Sequence, residues 1–347
     1  MSSSSESMIE TLRTTMEREG SRVVRLPRLD VPPAGRRYLL ITPCRNEAAH
    51  LRTTLDTTLA QTSPPARWVI VDDGSTDETP QILAEYAARY DVIRVVTRAD
   101  RGRRAVGPGV IEAFYEGLRT ERLDDYDYVC KYDADLEMPP RYFERVMERM
   151  EAEPHIGNLS GKMMERQSDG SLKTFFMGDE NAIGAIKFYR VQCFREIGGF
   201  VRELAWDGID GHLCRMHGWI AASIDDPEMR FVHLRPMGSS QGDILVGRRR
   251  WGRGKYFMGS SWYYVLAASV FRMKDPPRLR GGIEILRGYL KSAWERDQRY
   301  DNPRYLKHLR RFELFQLVVG KKYGVRLVNR RIRRRPPRLT SAAGAST

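Results

Sequence analysis

From residue 38 onward, short apolar runs alternate with stretches in which apolar residues recur every three or four positions. The first run is YLLIT at 38–42, and in the segment after it Leu51, Leu55 and Leu59 share one helical face. WVIVD at 68–72 is a second strand. GSTDETPQILAEYAARY then places Ile82, Leu83, Tyr86 and Tyr90 on one stripe, and Ser75 and Glu78 have the spacing of a capping box, which predicts a helix start there. VIRVVT at 92–97, a helix around 109–119 and DYVCKYDAD at 127–135 complete four such units. PPRYFERVMERM follows as a helix with Tyr142, Phe143, Val146 and Met150 inward. Strands alternating with helices predict an α/β domain whose parallel strands are joined by right-handed crossovers.

In such a sheet, ligands sit beyond the carboxyl ends of the strands. The loops leaving those ends are TPCRNE, DDGSTD and YDADLE. No G-x-G-x-x-G follows the first strand and no G-x-x-x-x-G-K-[ST] occurs, so neither a dinucleotide fingerprint nor a P-loop is present. Asp133 and Asp135, one residue apart at a strand exit, repel each other unless one keeps its proton or a cation lies between them. Mg²⁺ or Mn²⁺ suits that place, because it takes oxygen ligands and leaves positions for substrate phosphates. Asp73 suits hydrogen bonding to a base or ribose, or a helix entry where the macrodipole favours a carboxylate; for Asp72 a helix cap or turn fits as well as a functional role.

Four segments in order, PCRNE, VDDGSTD, DADLEMPP and GGFVRELAWDGIDGHLCRMHGW, resemble those of a family-2 glycosyltransferase with the GT-A fold. The resemblance covers roughly residues 38–240 and rests on ordered motifs. It implies a nucleotide-sugar-binding, Rossmann-like mixed sheet flanked by helices. It also implies that Pro43, Arg45 and Glu47 frame the nucleobase and ribose, and that Asp73 recognises the base. Asp133 would face the ribose and the metal, and Asp135 would hold the metal against the donor diphosphate. The family's E-D pair, whose Asp removes the acceptor proton, maps by the Gly218-Trp219 spacing onto Trp206 and Asp207; Asp210 is the reserve candidate, and a helix cap is the structural alternative for either. His233 is the implied third metal ligand, or a structural strand histidine. Arg250 and Trp251 in GRRRWGRGK resemble the Q-x-x-R-W segment of processive synthases, with Gly247 in the glutamine slot, and Arg103 falls where the family has a basic loop near the donor. The activity so implied is inverting transfer from a UDP- or GDP-sugar to a hydroxyl of a glycan or lipid-linked acceptor. With Trp206 in place of the Glu, a donor-binding scaffold without turnover stays open. A phosphohydrolase with Asp133 as nucleophile fits DADLE poorly.

Composition adds location. The 347 residues carry a net charge of +13, and 41% are apolar. Nine of those charges lie after Glu313, where no acid occurs: Lys321, Lys322 and seven arginines from Arg326 to Arg338. The folded body is therefore close to balanced, and nucleic acid is not an expected partner. The aromatic, uncharged run Tyr256 to Phe271 is sixteen residues long, short of the roughly 20 that span a bilayer; it suits a buried helix pair or an interfacial position. With the basic tail it points to the anionic inner face of the plasma membrane. Four scattered cysteines and an N-terminus without an apolar signal core point to a reducing, cytoplasmic setting. The expected organisation is an N-terminal extension over 1–37, a catalytic domain over 38–240, a helical region over 241–325 and a disordered basic tail over 326–347.

Overall fold

The computed structural model describes residues 36–102, 107–175, 178–235, 244–275 and 277–336, all within the compact unit Pro32–Thr347. A seven-stranded mixed sheet runs through it. Its strands are β1 (Tyr38–Cys44), β2 (Arg67–Asp72), β3 (Ile93–Thr97), β4 (Tyr128–Tyr132), β6 (Ile156–Ser160), β9 (Ile186–Arg190) and β10 (Ile220–Ser223), in the order β10-β6-β9-β4-β1-β2-β3. β9 runs antiparallel to both its neighbours; the other pairs are parallel. Alternation along β1 divides the core: Tyr38 and Leu40 face one apolar cluster, Leu39 and Ile41 the other. Helices α1 (Ala48–Leu59), α2 (Thr79–Arg89) and α4 (Tyr142–Ala152) cover the first face. The second is covered by α3 (Pro108–Leu118), α5 (Val191–Glu196) and α6 (Trp206–Met216). This is the mixed sheet flanked by helices that the resemblance implied.

A smaller sheet combines β5 (Leu136–Glu137), β7 (Met163–Arg166), β8 (Leu172–Thr174) and β11 (Phe231–His233) in the order β5-β11-β7-β8. Five helices follow: α7 (Ile244–Met258), α8 (Trp262–Arg272), α9 (Arg280–Trp294), α10 (Pro303–Val319) and α11 (Lys321–Arg333). α7 and α9 cross closely because glycines meet backbone: a Cβ on Gly252 would lie 1.9 Å from the Ile285 carbonyl oxygen, and one on Gly288 2.1 Å from that of Arg249.

Two expectations change, and the uncharged run takes the helix-pair form. The capping box does not form, since α2 begins at Thr79, followed by Pro80; Ser75 instead donates its backbone N–H to Asp72 at 2.9 Å and accepts from the Asn46 N–H at 3.0 Å. The uncharged run 256–271 is split between α7 and α8 at Gly259, which adopts a φ of 82°. The tail expected to be disordered is helical through Arg333. Ile332 is buried in the first core cluster and Arg333 pairs with Glu153 at 2.6 Å, so apolar burial and an ion pair order its first turns. The expected boundary at 240 falls outside the described residues.

Candidate active site

β1, β2 and β3 end level with one another, Cys44 opposite Asp72 and Asp72 opposite Thr97. The loops beyond them therefore open at one rim, and they are joined by hydrogen bonds. Asp73 donates its N–H to the Cys44 carbonyl at 2.8 Å, Asn46 accepts from Thr76 N–H at 2.8 Å, and Glu47 donates its N–H to Thr79 Oγ1 at 2.9 Å. Pro43 is the penultimate residue of β1 and is half-buried. Arg45 spans the two loops, donating to the Asp73 carbonyl at 2.5 Å and pairing with Asp100 at 2.6 Å. Asp73 is 7% exposed, and its carboxylate lies between Arg98, at 2.7 Å, and Arg101. Neither arginine was singled out from the sequence, where both read as surface charge after a strand. Arg103 lies outside the described residues.

The small sheet closes the other side of the rim. β5 begins immediately after Asp135 and pairs antiparallel with β11, with His233 opposite Leu136, and the Leu234 N–H donates to the Asp135 carbonyl at 2.9 Å. Asp133, Asp135 and His233 are thereby brought together with ligand atoms within 4.8 Å of one another. The His233 Nδ1 donates to the Arg235 carbonyl, which leaves Nε2 as the lone-pair nitrogen, 3.7 Å from Asp135 Oδ1. Two carboxylates and a neutral imidazole so fixed fit a hard or borderline divalent ion. Cations already attend these acids. Lys131 donates to Asp133, and Arg235 pairs with Glu47 and, at 3.0 Å, with Asp135. Burial raises the Asp133 carboxyl above its ordinary range, against the pull of Lys131. Lys131 and Arg235 were also not singled out, although a lysine inside the apolar strand YVCKY was a visible signal.

Lys131 stands directly across from Lys187 of β9, and both are buried, at 3% and 0% exposure. Like charges so placed destabilise a sheet unless they are compensated. Lys131 turns to Asp133 and to the Gly184 carbonyl at 2.8 Å; Lys187 turns to Asp210 at 2.5 Å and to the Asp207 carbonyl at 2.8 Å. Between them lies the Trp206 ring, with the ammonium nitrogens 5.4 and 5.6 Å from its centroid. The tryptophan that the resemblance sets in the place of a Glu thus offers a π face between the two ammonium groups.

α6 separates the two base candidates. Asp207 is in its first turn and exposed, with its carboxylate close to the Gly184 backbone: a Cβ there would be 3.1 Å from Oδ2. Asp210, one turn on, is 1% exposed and held by Lys187, the Tyr189 hydroxyl and the Gly211 N–H. Burial raises its carboxyl, with Lys187 and Tyr189 opposing. It is a core ion-pair partner, closed off from the rim. Arg250 and Trp251 lie in α7, Trp251 39% exposed with the Lys255 ammonium 5.4 Å from its ring centroid. Burial lowers the Lys255 ammonium, which senses Glu313 and Asp207.

The model of glycosyl transferase family 2 matches residues 39–194. Among curated proteins, the poly-β-1,6-N-acetyl-D-glucosamine synthase of Staphylococcus epidermidis is 27% identical over 146 residues, 42% of this chain and 33% of that one. The β-monoglucosyldiacylglycerol synthase of Nostoc sp. PCC 7120 is 26% identical over 152 residues, covering 41% and 32%. The chain spans about a third of the length of these relatives. Among solved structures, mannosyltransferase PcManGT from Pyrobaculum calidifontis, in complex with GDP-Man and Mn²⁺, superposes with a TM-score of 0.48 at 19% identity, over 92% of this chain and 85% of that one. S. aureus TarS 1–349 with UDP-GlcNAc gives 0.48 at 15%, over 86% and 89%. The stretch that is similar to glycosyl transferase family 2, residues 39–194, runs from β1 to α5 and includes the loops that open at the rim.

Proposed function

We propose that the protein is an inverting glycosyltransferase that moves a sugar from a nucleotide-diphosphate donor to a hydroxyl of a glycan or lipid-linked acceptor. The observation that carries this is the meeting of Asp133, Asp135 and His233 at the mouth of the sheet, linked through Arg235 to Glu47 of the first rim loop. Asp133, Asp135 and His233 are the residues to hold Mn²⁺ or Mg²⁺, and such an ion supplies neutralisation of the charge that develops on the leaving diphosphate. Asp73 accepts hydrogen bonds from the base once Arg98 or Arg101 yields an oxygen, and Arg235 is placed to exchange Glu47 and Asp135 for donor phosphate. Asp207 takes the acceptor proton. It stands exposed in the first turn of α6, where an acceptor hydroxyl can reach it. Attack from the face opposite the diphosphate needs no covalent sugar intermediate and inverts the anomeric centre. The decisive experiment is turnover of a panel of UDP- and GDP-sugars with Mn²⁺ or Mg²⁺. Donor binding without turnover for every acceptor tried would favour the scaffold alternative, and turnover indifferent to chelation would remove the metal role.

The relatives' names, a polysaccharide synthase and a glycolipid synthase, support an acceptor at a membrane. So does the outer face of α8 and α9, where Trp262 is 66% exposed and Trp294 90%, among Val270, Phe271, Leu279 and Leu290, with Arg272, Lys274, Arg278 and Arg280 nearby in sequence. No described helix is long and apolar enough to cross a bilayer. The double substitution Trp262→Ser, Trp294→Ser is expected to reduce co-sedimentation with phosphatidylserine-containing vesicles about tenfold or more, in line with the loss of two interfacial aromatic anchors. Unchanged sedimentation would sink the membrane placement.

A further inference from the structure

A cleft of about 170 Å³ lies outside the rim, lined by Glu203 and Leu204, by Arg253, Tyr256 and Phe257 of α7, by Ser292 of α9 and by Asp297 and Gln298 beyond it. Its volume is well below the roughly 300 Å³ at which pockets for drug-sized ligands begin, so a nucleotide sugar does not fit it. Its chemistry is mixed in a particular way. Leu204 and two aromatic residues supply apolar lining, and two carboxylic acids, an amide, a hydroxyl and a guanidinium line it beside them. Planar acid, amide and guanidinium groups suit paired hydrogen bonds to adjacent hydroxyls. Two carboxylates against one guanidinium disfavour an anionic ligand. Arg253 and Asp297 face each other loosely at 3.9 Å, 53% and 35% exposed, which leaves both with hydrogen-bonding capacity to spare.

Its placement connects it to the base candidate. Glu203 and Leu204 run directly into Ala205, Trp206 and Asp207. Ala205 holds a left-handed φ of 61° as it enters α6. α7 lies against this turn through glycine: a Cβ on Gly254 would be 3.2 Å from the Ala205 Cβ, and one on Gly208 3.2 Å from Met258. The opposite wall turns through Arg296, at a φ of 54°. Among the described residues, four that are not glycine have positive φ: Asn46, Ala205, Leu279 and Arg296. Asn46 is between Arg45 and Glu47 at the donor rim, and Ala205 and Arg296 adjoin the walls of this cleft. Such backbone is costly and gathers where ligands are held.

We propose that the cleft is a subsite for one neutral pyranose ring of the acceptor, close to the hydroxyl that Asp207 serves. The acceptor assignment rests on the glycosyltransferase reading; the saccharide binding rests on the cleft itself. The test uses the full chain and the methyl glycosides of glucose, galactose, mannose and N-acetylglucosamine at millimolar concentration, followed by saturation-transfer NMR with UDP or GDP present to fill the donor site. At least one glycoside is expected to bind alongside the nucleotide and to bind about tenfold more weakly to Asp297→Ala, Gln298→Ala and to Glu203→Gln. These residues lie at the cleft edge, and an unchanged thermal midpoint shows that the variants fold. Absence of binding by all four glycosides, displacement by nucleotide, or binding that survives both variants would overturn the subsite. Nucleotide-sugar hydrolysis by the unsubstituted protein, measured without glycoside, checks the glycosyltransferase reading separately, so a failure of either is told apart from a failure of the other.

Discussion

At the rim of the large sheet the carboxylates of Asp73, Asp133 and Asp135 each meet a cation: Asp73 meets Arg98 and Arg101, Asp133 meets Lys131 of the strand just before it, and Asp135 meets Arg235. Around α6 and α10 the pattern differs. There His212 and His308 are half-buried beside Arg215, and the Tyr305 hydroxyl, His308 Nε2 and Gln316 Nε2 have no hydrogen-bond partner among the described residues. The first region stores its charge as exchangeable pairs, which a phosphate and a divalent ion can replace one for one. The second holds two histidines toward the neutral form, and its stability responds to protons.

The sharpest way to break this contrast is at Asp135. Asp135→Ala is expected to lower nucleotide-sugar turnover by about 10³-fold and to abolish any rise of thermal midpoint on adding Mn²⁺, while unfolding in denaturant stays near that of the unsubstituted protein. A large loss of stability instead would make the pair with Arg235 structural.

Next come the two aspartates of α6. Asp207→Asn is expected to cost about 10²- to 10⁴-fold in turnover with donor affinity retained. Asp210→Asn leaves Lys187 as an uncompensated buried charge and is expected to cost about 3–5 kcal/mol in urea unfolding. If the two variants exchanged these phenotypes, the assignment of Asp207 as base would fall.

Trp206 offers a finer measurement. Because Lys131 and Lys187 flank its ring, Trp206→Glu is expected to be more stable than Trp206→Gln by about 1–3 kcal/mol, the usual scale for hydrogen bonds to charged groups. Equal stabilities would show that the lysines are already satisfied by Asp133 and Asp210.

The smallest expected effect is on pH dependence. Burial lowers His308 to about 4 and His212 well below its ordinary value, with Arg215 adding to both shifts. A histidine that stays neutral in the folded chain but protonates when unfolded contributes stability that is complete above its unfolded value of about 6.5. That contribution is lost as pH falls from there through about 4. The thermal midpoint is therefore expected to fall between pH 7 and pH 5, and to fall less in His308→Gln. An identical slope in the variant would remove His308 from the account.

The two facings of β1 could not be read in the sequence, since Tyr38 to Ile41 are all apolar, whereas the strands and the three-loop rim could, because apolar periodicity and ordered motifs are local. Asp133, Asp135 and His233 were nameable for the same reason. The partners were not. Arg98, Arg101, Lys131 and Arg235 acquire their meaning only from strand register and loop closure, which set what a long cationic side chain reaches. The capping box failed because Ser75 found a better partner in the neighbouring loop. Asp207 and Asp210 were indistinguishable by spacing, and only burial against Lys187 separated them.

The pairing of β5 with β11 joins segments 98 positions apart, from Asp135 to His233, through two register pairs. Closing so long a loop comes late in folding, since distant contacts form at high entropic cost. A chain still emerging from the ribosome would thus carry its aspartates well before it could grip an ion, and competence to bind one would mark the moment the domain is complete.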